Sequence, residues 1–251
     1  MEQIEILSAA IRNEINISAA RSSKLAAYAS LIHSENLKFN LTGHKTLEDI
    51  LTNLIIKSII PAVFLNVPRG TFFADLGTGA GIPGIPLAVY IENSRGTLFD
   101  SSSKKIRFIQ DAAEKCGITN VEAVSCRIEE AGKNPDYRES YDWVFSRAMS
   151  DIYTACELGS PLLKKGGRLF LYSKEKDFSL KPEFIKHLGS LGLEHVREKS
   201  AVYEETALRN PEQEGILLIK KKQCPHKYPR RIAVIRRESE KLNQHSINSN
   251  G

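Results

Sequence analysis

The stretch FADLGTGAGIPGIPL, Phe73 to Leu87, decides the fold of this chain. It places four glycines and two prolines directly behind a short apolar run, with Asp75 just ahead of the first glycine. A glycine-rich turn between a strand and a helix is typical of the ligand-binding turn in open α/β sheets. Pro83 lies near the first turn of the expected helix, where its missing N–H costs nothing. The stretch therefore predicts a strand, a binding turn and a helix in succession.

The sequence beyond this turn alternates short apolar strands with amphipathic helices. We predict strands at 71–76, 96–100, 121–125, 141–146 and 168–173, separated by helices at 83–92, 103–116 and 151–164. This alternation predicts βαβ units and a parallel sheet. A helix near 181–191 is followed by strands near 195–203 and at 214–222 without a crossover helix, which predicts an antiparallel return at the sheet edge. The fold class is therefore α/β, with a mostly parallel sheet and an antiparallel edge strand, and the family resemblance given below implies that it is Rossmann-like.

The N-terminal region lacks strand patterns and is predicted to be helical. Thr46 and Asp49 have the spacing of a capping box, and we expect the helix that follows to end at Pro61. Three regions result: an N-terminal helical cap over 1–70, a Rossmann-like domain over 71–222, and a basic C-terminal tail over 223–251. We expect the tail to be poorly ordered.

Charge is unevenly distributed along the chain. The net charge is +5, and the segment Lys220 to Arg237 holds eight cations and no acid, which leaves −3 for the remaining residues. A slightly acidic body with a basic tail indicates a polyanionic partner that the protein contacts mainly through the tail.

Composition also excludes several classes of protein. The four cysteines lie far apart and no His/Cys cluster has metal-ligand spacing, so we expect neither disulfides nor a metal site. No apolar run approaches about 18 residues, and the first residues carry three glutamates and do not resemble a secretory signal. We expect a cytoplasmic protein without a membrane segment, and a monomer, because nothing in the composition demands a large interface.

Asp75 discriminates between two classes of ligand for the turn. A dinucleotide places its pyrophosphate at the helix N-terminus, where the free N–H groups favour an anion. A carboxylate beside the turn would repel that pyrophosphate but attract an ammonium group. S-adenosylmethionine carries an ammonium and no phosphate, and we therefore favour it over NAD. The NAD-dependent oxidoreductase, which also lacks an evident proton-relay residue here, stays as the alternative.

Candidate ligand residues also occur at the ends of the next four strands. Asp100 has the position from which an acid accepts both ribose hydroxyls of an adenosine, although it also fits a helix cap. Backbone amides of Ile128 and Glu129 are placed to meet an adenine edge, unless CRIEE is a plain surface loop. Arg147 and Lys174 end the fourth and fifth strands and suit a phosphate or a base, or ordinary surface ion pairs.

Several strings together resemble one family, the small-subunit ribosomal RNA guanine-N7 methyltransferases, also called the glucose-inhibited division protein B family. They occur in family order between about residues 20 and 231 and comprise NLT (40–42), DLGTGAGIPGIPL (75–87), LFDSSSKKIRFI (98–109), CRIEE (126–130), SRA (146–148), the strand end at Lys174, and KYPRR (227–231). In the second N-terminal helix, this chain has Asn53-Leu54 and Lys57-Ser58 where the family usually has Arg-His and Asp-Ser, so only the serine is kept.

The resemblance implies an S-adenosylmethionine-dependent enzyme with an N-terminal helical cap that methylates N7 of one guanine in 16S rRNA of the small ribosomal subunit. It implies cofactor contacts, in addition to Asp75 and Gly79 of the turn, from Gly77, Ile82, Asp100, Ser101, Ser102, Ile128, Glu129 and Arg147. It implies roles in handling RNA for Arg127, Arg147 and Lys174.

The chemistry of this reaction sets modest demands on the side chains. Guanine N7 carries an unprotonated in-plane lone pair at neutral pH, so no general base is required, and the six scattered histidines agree with that. A cation next to the reacting atoms would oppose the charge that develops on the base, and we therefore place Arg147 on a phosphate or on the cofactor's carboxylate. The remaining alternative is a non-catalytic RNA-binding protein with a degenerate methyltransferase fold.

Overall fold

A single seven-stranded sheet forms the centre of the protein. A computed structural model describes residues 2–173, 182–196 and 215–248. In chain order the strands are β1 (Phe72–Leu76), β2 (Arg95–Asp100), β3 (Val121–Ser125), β4 (Tyr141–Arg147), β5 (Leu163–Tyr172), β6 (Leu193–His195) and β7 (Gly215–Lys220).

Helices flank the sheet and also form the N-terminal region. They are α1 (Glu2–Glu14), α2 (Ala19–Asn36), α3 (Leu47–Asp49), α4 (Lys57–Phe64), α5 (Gly84–Tyr90), α6 (Ser103–Lys115), α7 (Ile128–Ala131), α8 (Ile152–Gly159), α9 (Pro182–Ser190) and α10 (Ile232–Asn248). A π-helical segment, Ile50–Ile56, joins α3 to α4, and a short 3-10 turn, Ser160–Leu162, joins α8 to β5.

The strand order is β3-β2-β1-β4-β5-β7-β6. Strands β1 to β5 pair in parallel, whereas β7 runs antiparallel to both β5 and β6, which confirms the predicted return at the sheet edge. The order reverses between β1 and β4, and ligands of open α/β sheets bind in the crevice at such a reversal. The Rossmann-like fold class is thereby confirmed. The strand expected near 195–203 begins earlier, at Leu193, and residues 197–214 lie outside the described residues.

Apolar clusters cover both faces of the sheet. On one face, the N-terminal helices share a continuous core with α5 and α6, in which Tyr28, Ile55, Ile85 and Ile109 are fully buried. On the other face, α8 and the C-terminal helix pack on the sheet with Ile235 fully buried. The N-terminal region therefore packs directly on the first two βα units, while the division into cap, central domain and tail stays a prediction.

Pro61 does not end its helix, and that prediction was wrong. It lies inside α4, five residues after the end of the π-helical segment. The π-helical stretch departs from the regular i→i−4 hydrogen bonds, and Pro61, which cannot donate such a bond, lies one turn into the helix that follows. The expected cap at Thr46 is confirmed, because its hydroxyl accepts a hydrogen bond from the Asp49 N–H at 3.1 Å.

The expectation of a poorly ordered C-terminal tail was also wrong for its described part. Residues 232–248 form α10, and Ile235 has no exposed surface. Arg230 donates to the fully buried carboxylate of Glu157 from its backbone N–H, Nε and Nη2, at 2.9, 2.9 and 2.7 Å. A buried acid needs a partner, and this chain supplies it from the segment that composition alone identified as a tail. Residues 249–251 lie outside the described residues.

Candidate functional site

The turn after β1, Gly77 to Gly84, is here called the glycine loop, and close contacts fix its shape. Gly77 has φ +67°, and a Cβ atom at that position would lie 2.6 Å from Cγ of Met149. Only glycine combines that backbone conformation with so close a neighbour. From the other side, the buried Tyr28 hydroxyl donates to the Ala80 carbonyl at 2.8 Å. The loop is thus held between α2 and the segment that follows β4.

Asp75 lies beneath the glycine loop and has no exposed surface. Its Oδ2 accepts hydrogen bonds from the Thr78 hydroxyl at 2.6 Å and from the Gly84 N–H at 2.8 Å. Its Oδ1 is buried and accepts no hydrogen bond from any residue within the described ranges. Burial raises the pKa of Asp75 to about 7, although both hydrogen bonds act in the opposite direction. Oδ2 therefore fixes the shape of the loop, and Oδ1 does not contribute to it.

Asp100 holds the loop from the neighbouring strand. Its Oδ2 accepts from the Gly79 N–H at 2.9 Å, and its Oδ1 accepts from the Ser102 N–H at 2.9 Å. The Lys105 ammonium lies 3.7 Å from Oδ2. Each carboxylate oxygen keeps a lone pair, so two ribose hydroxyls can be accepted while both backbone bonds persist. Asp100 thus fixes the backbone of the glycine loop and of Ser102, the N-cap residue of α6.

Arg147 connects the carboxyl end of β4 to the N-terminal helices. Its guanidinium donates to the Asn53 carbonyl at 2.6 Å and to the Ser58 hydroxyl at 3.2 Å, and it lies 5.8 Å from the ring centre of Tyr172. Burial lowers its pKa, and the nearby Tyr172 and Asp75 oppose that effect. Asn53 contributes only its backbone, whereas Ser58 contributes its side chain. The departure from the family pattern at position 53 therefore leaves this contact intact.

A pocket of about 200 Å³ opens between the carboxyl ends of β4 and β5. Polar and apolar residues line this β4–β5 pocket: Ser146, Ala148, Ser150, Asp151, Ile152, Ala155, Leu171, Tyr172 and Ser173. The segment that lines it also carries Met149, which contacts the glycine loop at Gly77. The pocket and the loop are therefore neighbours across the reversal of strand order.

The remaining predicted residues border this region or lie outside it. Ile128 is buried in the first turn of α7, Glu129 is half-buried, and the side chain of Arg127 is exposed. Ile82 is buried, and Ser101 and Ser102 follow Asp100 at the start of α6. Lys174 lies outside the described residues, which resume at Pro182.

Sequence reasoning missed three residues that shape the site: Tyr28, Ser58 and Met149. Tyr28 falls on the apolar face of α2, so its burial was foreseeable, but its contact with the loop spans 52 positions. Ser58 was noted only as a serine that the family keeps. Local sequence periodicity predicts neither the contact of Tyr28 with the loop nor the contact of Ser58 with Arg147.

Two findings concern the described ranges as a whole. Within residues 2–173, 182–196 and 215–248, no group of three or more His, Cys, Asp or Glu side chains is placed to hold a metal ion. In the same ranges, no helix combines the length and the apolar character needed to cross a membrane.

Comparisons with known proteins point to one family. The family described as "GidB: rRNA small subunit methyltransferase G" matches residues 21–202. The chain is similar to Ribosomal RNA small subunit methyltransferase G of Fervidobacterium nodosum, with 35% identity over 79% of this chain and 90% of that protein. It is similar to the protein of the same name from Mycoplasmoides gallisepticum, with 36% identity over 85% of this chain and 88% of that protein.

Proposed function

The chain belongs to the GidB family of rRNA small subunit methyltransferases, and we propose that it transfers a methyl group from S-adenosylmethionine to N7 of a guanine in 16S rRNA. The family membership makes the chain a methyltransferase. The donor, the acceptor atom and the residues that bind them are the parts that we propose.

The observation that carries the proposal is the buried carboxylate of Asp75. Its Oδ1 has no hydrogen-bond partner among the described residues, and its pKa is raised to about 7 by burial. A buried acid of this kind gains most from a cationic partner and is penalised by a phosphate. The same oxygen argues against NAD, whose pyrophosphate would lie at the start of α5.

We assign the donor to the carboxyl ends of β1, β2 and β3. Asp75 and the N–H groups of the glycine loop suit the amino-acid part, with its ammonium and carboxylate. Asp100 suits the two ribose hydroxyls, and the first turn of α7, at Ile128 and Glu129, suits the adenine edge. When bound, S-adenosylmethionine supplies an electrophilic methyl group on a sulfonium.

We assign the target base to the β4–β5 pocket, which adjoins the glycine loop through Met149. The protein's task there is to hold the base so that N7 is in line with the methyl group. Positioning of this kind contributes up to about 7–11 kcal/mol to a two-substrate reaction. No proton has to be removed from N7, so the pocket needs no histidine or free carboxylate as a base. The guanidinium of Arg147 is held by Asn53 and Ser58, which keeps it available for an anion of the cofactor or the RNA.

The test is methyl transfer to small ribosomal subunits from cells that lack this gene. Purified protein and methyl-labelled S-adenosylmethionine should label 16S rRNA, and nuclease digestion followed by mass spectrometry should identify 7-methylguanosine at one position. The Asp100→Asn variant serves as the control for cofactor dependence. Label on another atom or another RNA would contradict the acceptor assignment. A folded protein that binds NAD and not S-adenosylmethionine would contradict the donor assignment.

A further inference from the structure

The eight cations between Lys220 and Arg237 fall into two structural groups. Lys220 is fully buried, with its ammonium donating to the Ser160 carbonyl at 2.6 Å, and Arg230 pairs with Glu157 and with Glu238 at 2.7 Å each. Both side chains are therefore engaged in contacts within the folded protein. Most of the others are exposed, so the basic segment is not uniformly available to a partner.

Three of the exposed cations lie on or directly before α10, and they are here called the basic face: Arg231, Arg236 and Arg237. All three are exposed, and none forms an ion pair within the part of the chain that the structure describes. Glu240 lies one helical turn from Arg236 but forms no ion pair with it there. Ile235 and Ser239, one helical turn apart, are the buried residues of α10 in this segment. The helix is therefore amphipathic, with cations toward solvent.

A chain of contacts fixes this helix against the β4–β5 pocket. The Ser239 hydroxyl donates to Oδ1 of Asp151 at 2.7 Å, and Asp151 lines the pocket and caps α8 through the Thr154 N–H at 3.0 Å. Glu238, next to Ser239 in the sequence, accepts from the Tyr153 hydroxyl at 3.0 Å. Arg236 is three residues from Ser239, which is about 4.5 Å along the helix axis. The helix that carries Arg236 therefore contacts the rim of the pocket through Ser239 and Asp151.

We propose that the basic face of α10 binds phosphates of the RNA strand that flanks the target base, whereas Arg230 and Lys220 make no contact with RNA. This inference rests on the proposed function, because it assigns the RNA to the β4–β5 pocket. An exposed arginine that lacks an acidic partner and stands beside the entry to a base pocket is suited to a phosphate. The buried acid Glu157 and the partly exposed Glu238 would then act only as the anchor that holds the helix in place.

The test uses the full chain with the double substitution Arg236→Glu and Arg237→Glu. We expect KM for small ribosomal subunits to rise about tenfold or more, and kcat and the affinity for S-adenosylmethionine to stay within about twofold. Each lost phosphate contact should flatten the slope of log KM against log salt by about 0.7–0.9. In the neutral double variant, Arg236→Gln with Arg237→Gln, the change in KM expressed as a free energy should be about half of the change in the glutamate variant.

The matched control is Lys115→Glu with Lys165→Glu. Both lysines are exposed. They lie at the end of α6 and the start of β5, at the edge of the sheet opposite to the pocket. If the control raises KM as much as the α10 variant, the effect is one of net charge and the proposal is overturned. It is equally overturned if KM and the salt slope of the α10 variant match the wild type. Absence of methyl transfer by the wild type would instead refute the proposed function itself.

Discussion

Replacing Asp75 by asparagine should change the pH dependence of stability. The carboxyl group has a pKa of about 7 in the folded protein, against an ordinary value of 3.8, because it is buried. An acid with a raised pKa in the folded state holds its proton there when the unfolded chain has lost it. Folding is therefore favoured below the ordinary pKa, and this contribution is lost as the pH rises toward 7.

The size of the effect follows from the two pKa values. Full ionisation of the buried group costs about 4 kcal/mol relative to the unfolded chain, and about 2 kcal/mol of this is incurred between pH 5 and pH 7. Asparagine does not ionise, so this component disappears in Asp75→Asn. The free energy of unfolding of the variant, relative to the wild type, should rise by about 2 kcal/mol over that interval.

The assay is urea unfolding at pH 5 and pH 7, followed by the fluorescence of the buried Trp143. Asp111→Asn removes the same charge from an exposed position on α6 and is the control. Calorimetry should show weaker binding of S-adenosylmethionine to Asp75→Asn at pH 7, because the ammonium loses its partner. Parallel pH profiles for the variant and the wild type would refute the claim that burial keeps this carboxyl protonated. An unchanged affinity for the donor would refute the claim that its charge selects the ligand.

Three further substitutions test other contacts. Gly77→Ala should destabilise the protein by about 1–2 kcal/mol in urea unfolding, because alanine is strained at φ +67°; Gly43→Ala, which has no atom within 4 Å of the added methyl, should be nearly neutral. Asp100→Asn should weaken the binding of S-adenosylmethionine about 10- to 100-fold by calorimetry, since hydrogen bonds to a charged acceptor are lost; an unchanged affinity would remove Asp100 from the ribose site. Arg230→Met should cost about 3–5 kcal/mol of stability, because Glu157 stays buried without its partner; Lys227→Met, at an exposed position in the same segment, should cost little, and equal losses would contradict the anchoring role.

The fold was largely predictable because its signals are local. The alternation of apolar runs gave strand positions within one or two residues for β1 to β4, and the missing crossover before β7 gave the antiparallel edge. The glycine loop and Asp100 were predictable for the same reason. Both lie at the carboxyl ends of strands, and the direction of the chain places these ends at one edge of the sheet. The prediction that the helix ends at Pro61 was wrong. The helix follows a π-helical segment, which has no simple sequence signature.

The contacts that hold the site together were not predictable from pattern. Glu157 looks like an ordinary polar residue of α8, and only the three-dimensional structure shows that it is fully buried against Arg230, 73 positions later. Charge counting treated the eight cations alike, because it cannot tell a buried lysine such as Lys220 from an exposed one. Arg147 was placed correctly at a strand end, but its partners belong to another region of the chain.

The pairing of Glu157 with Arg230 has a consequence for biosynthesis. Translation delivers α8 well before the arginine that neutralises its acid, so the nascent polypeptide cannot bury this helix without an unpaired charge until its C-terminal segment has left the ribosome. Closure of that side of the sheet over Glu157 therefore waits for the segment that carries Arg230. A chain truncated after β7 would retain the strands of the described residues and leave Glu157 without Arg230.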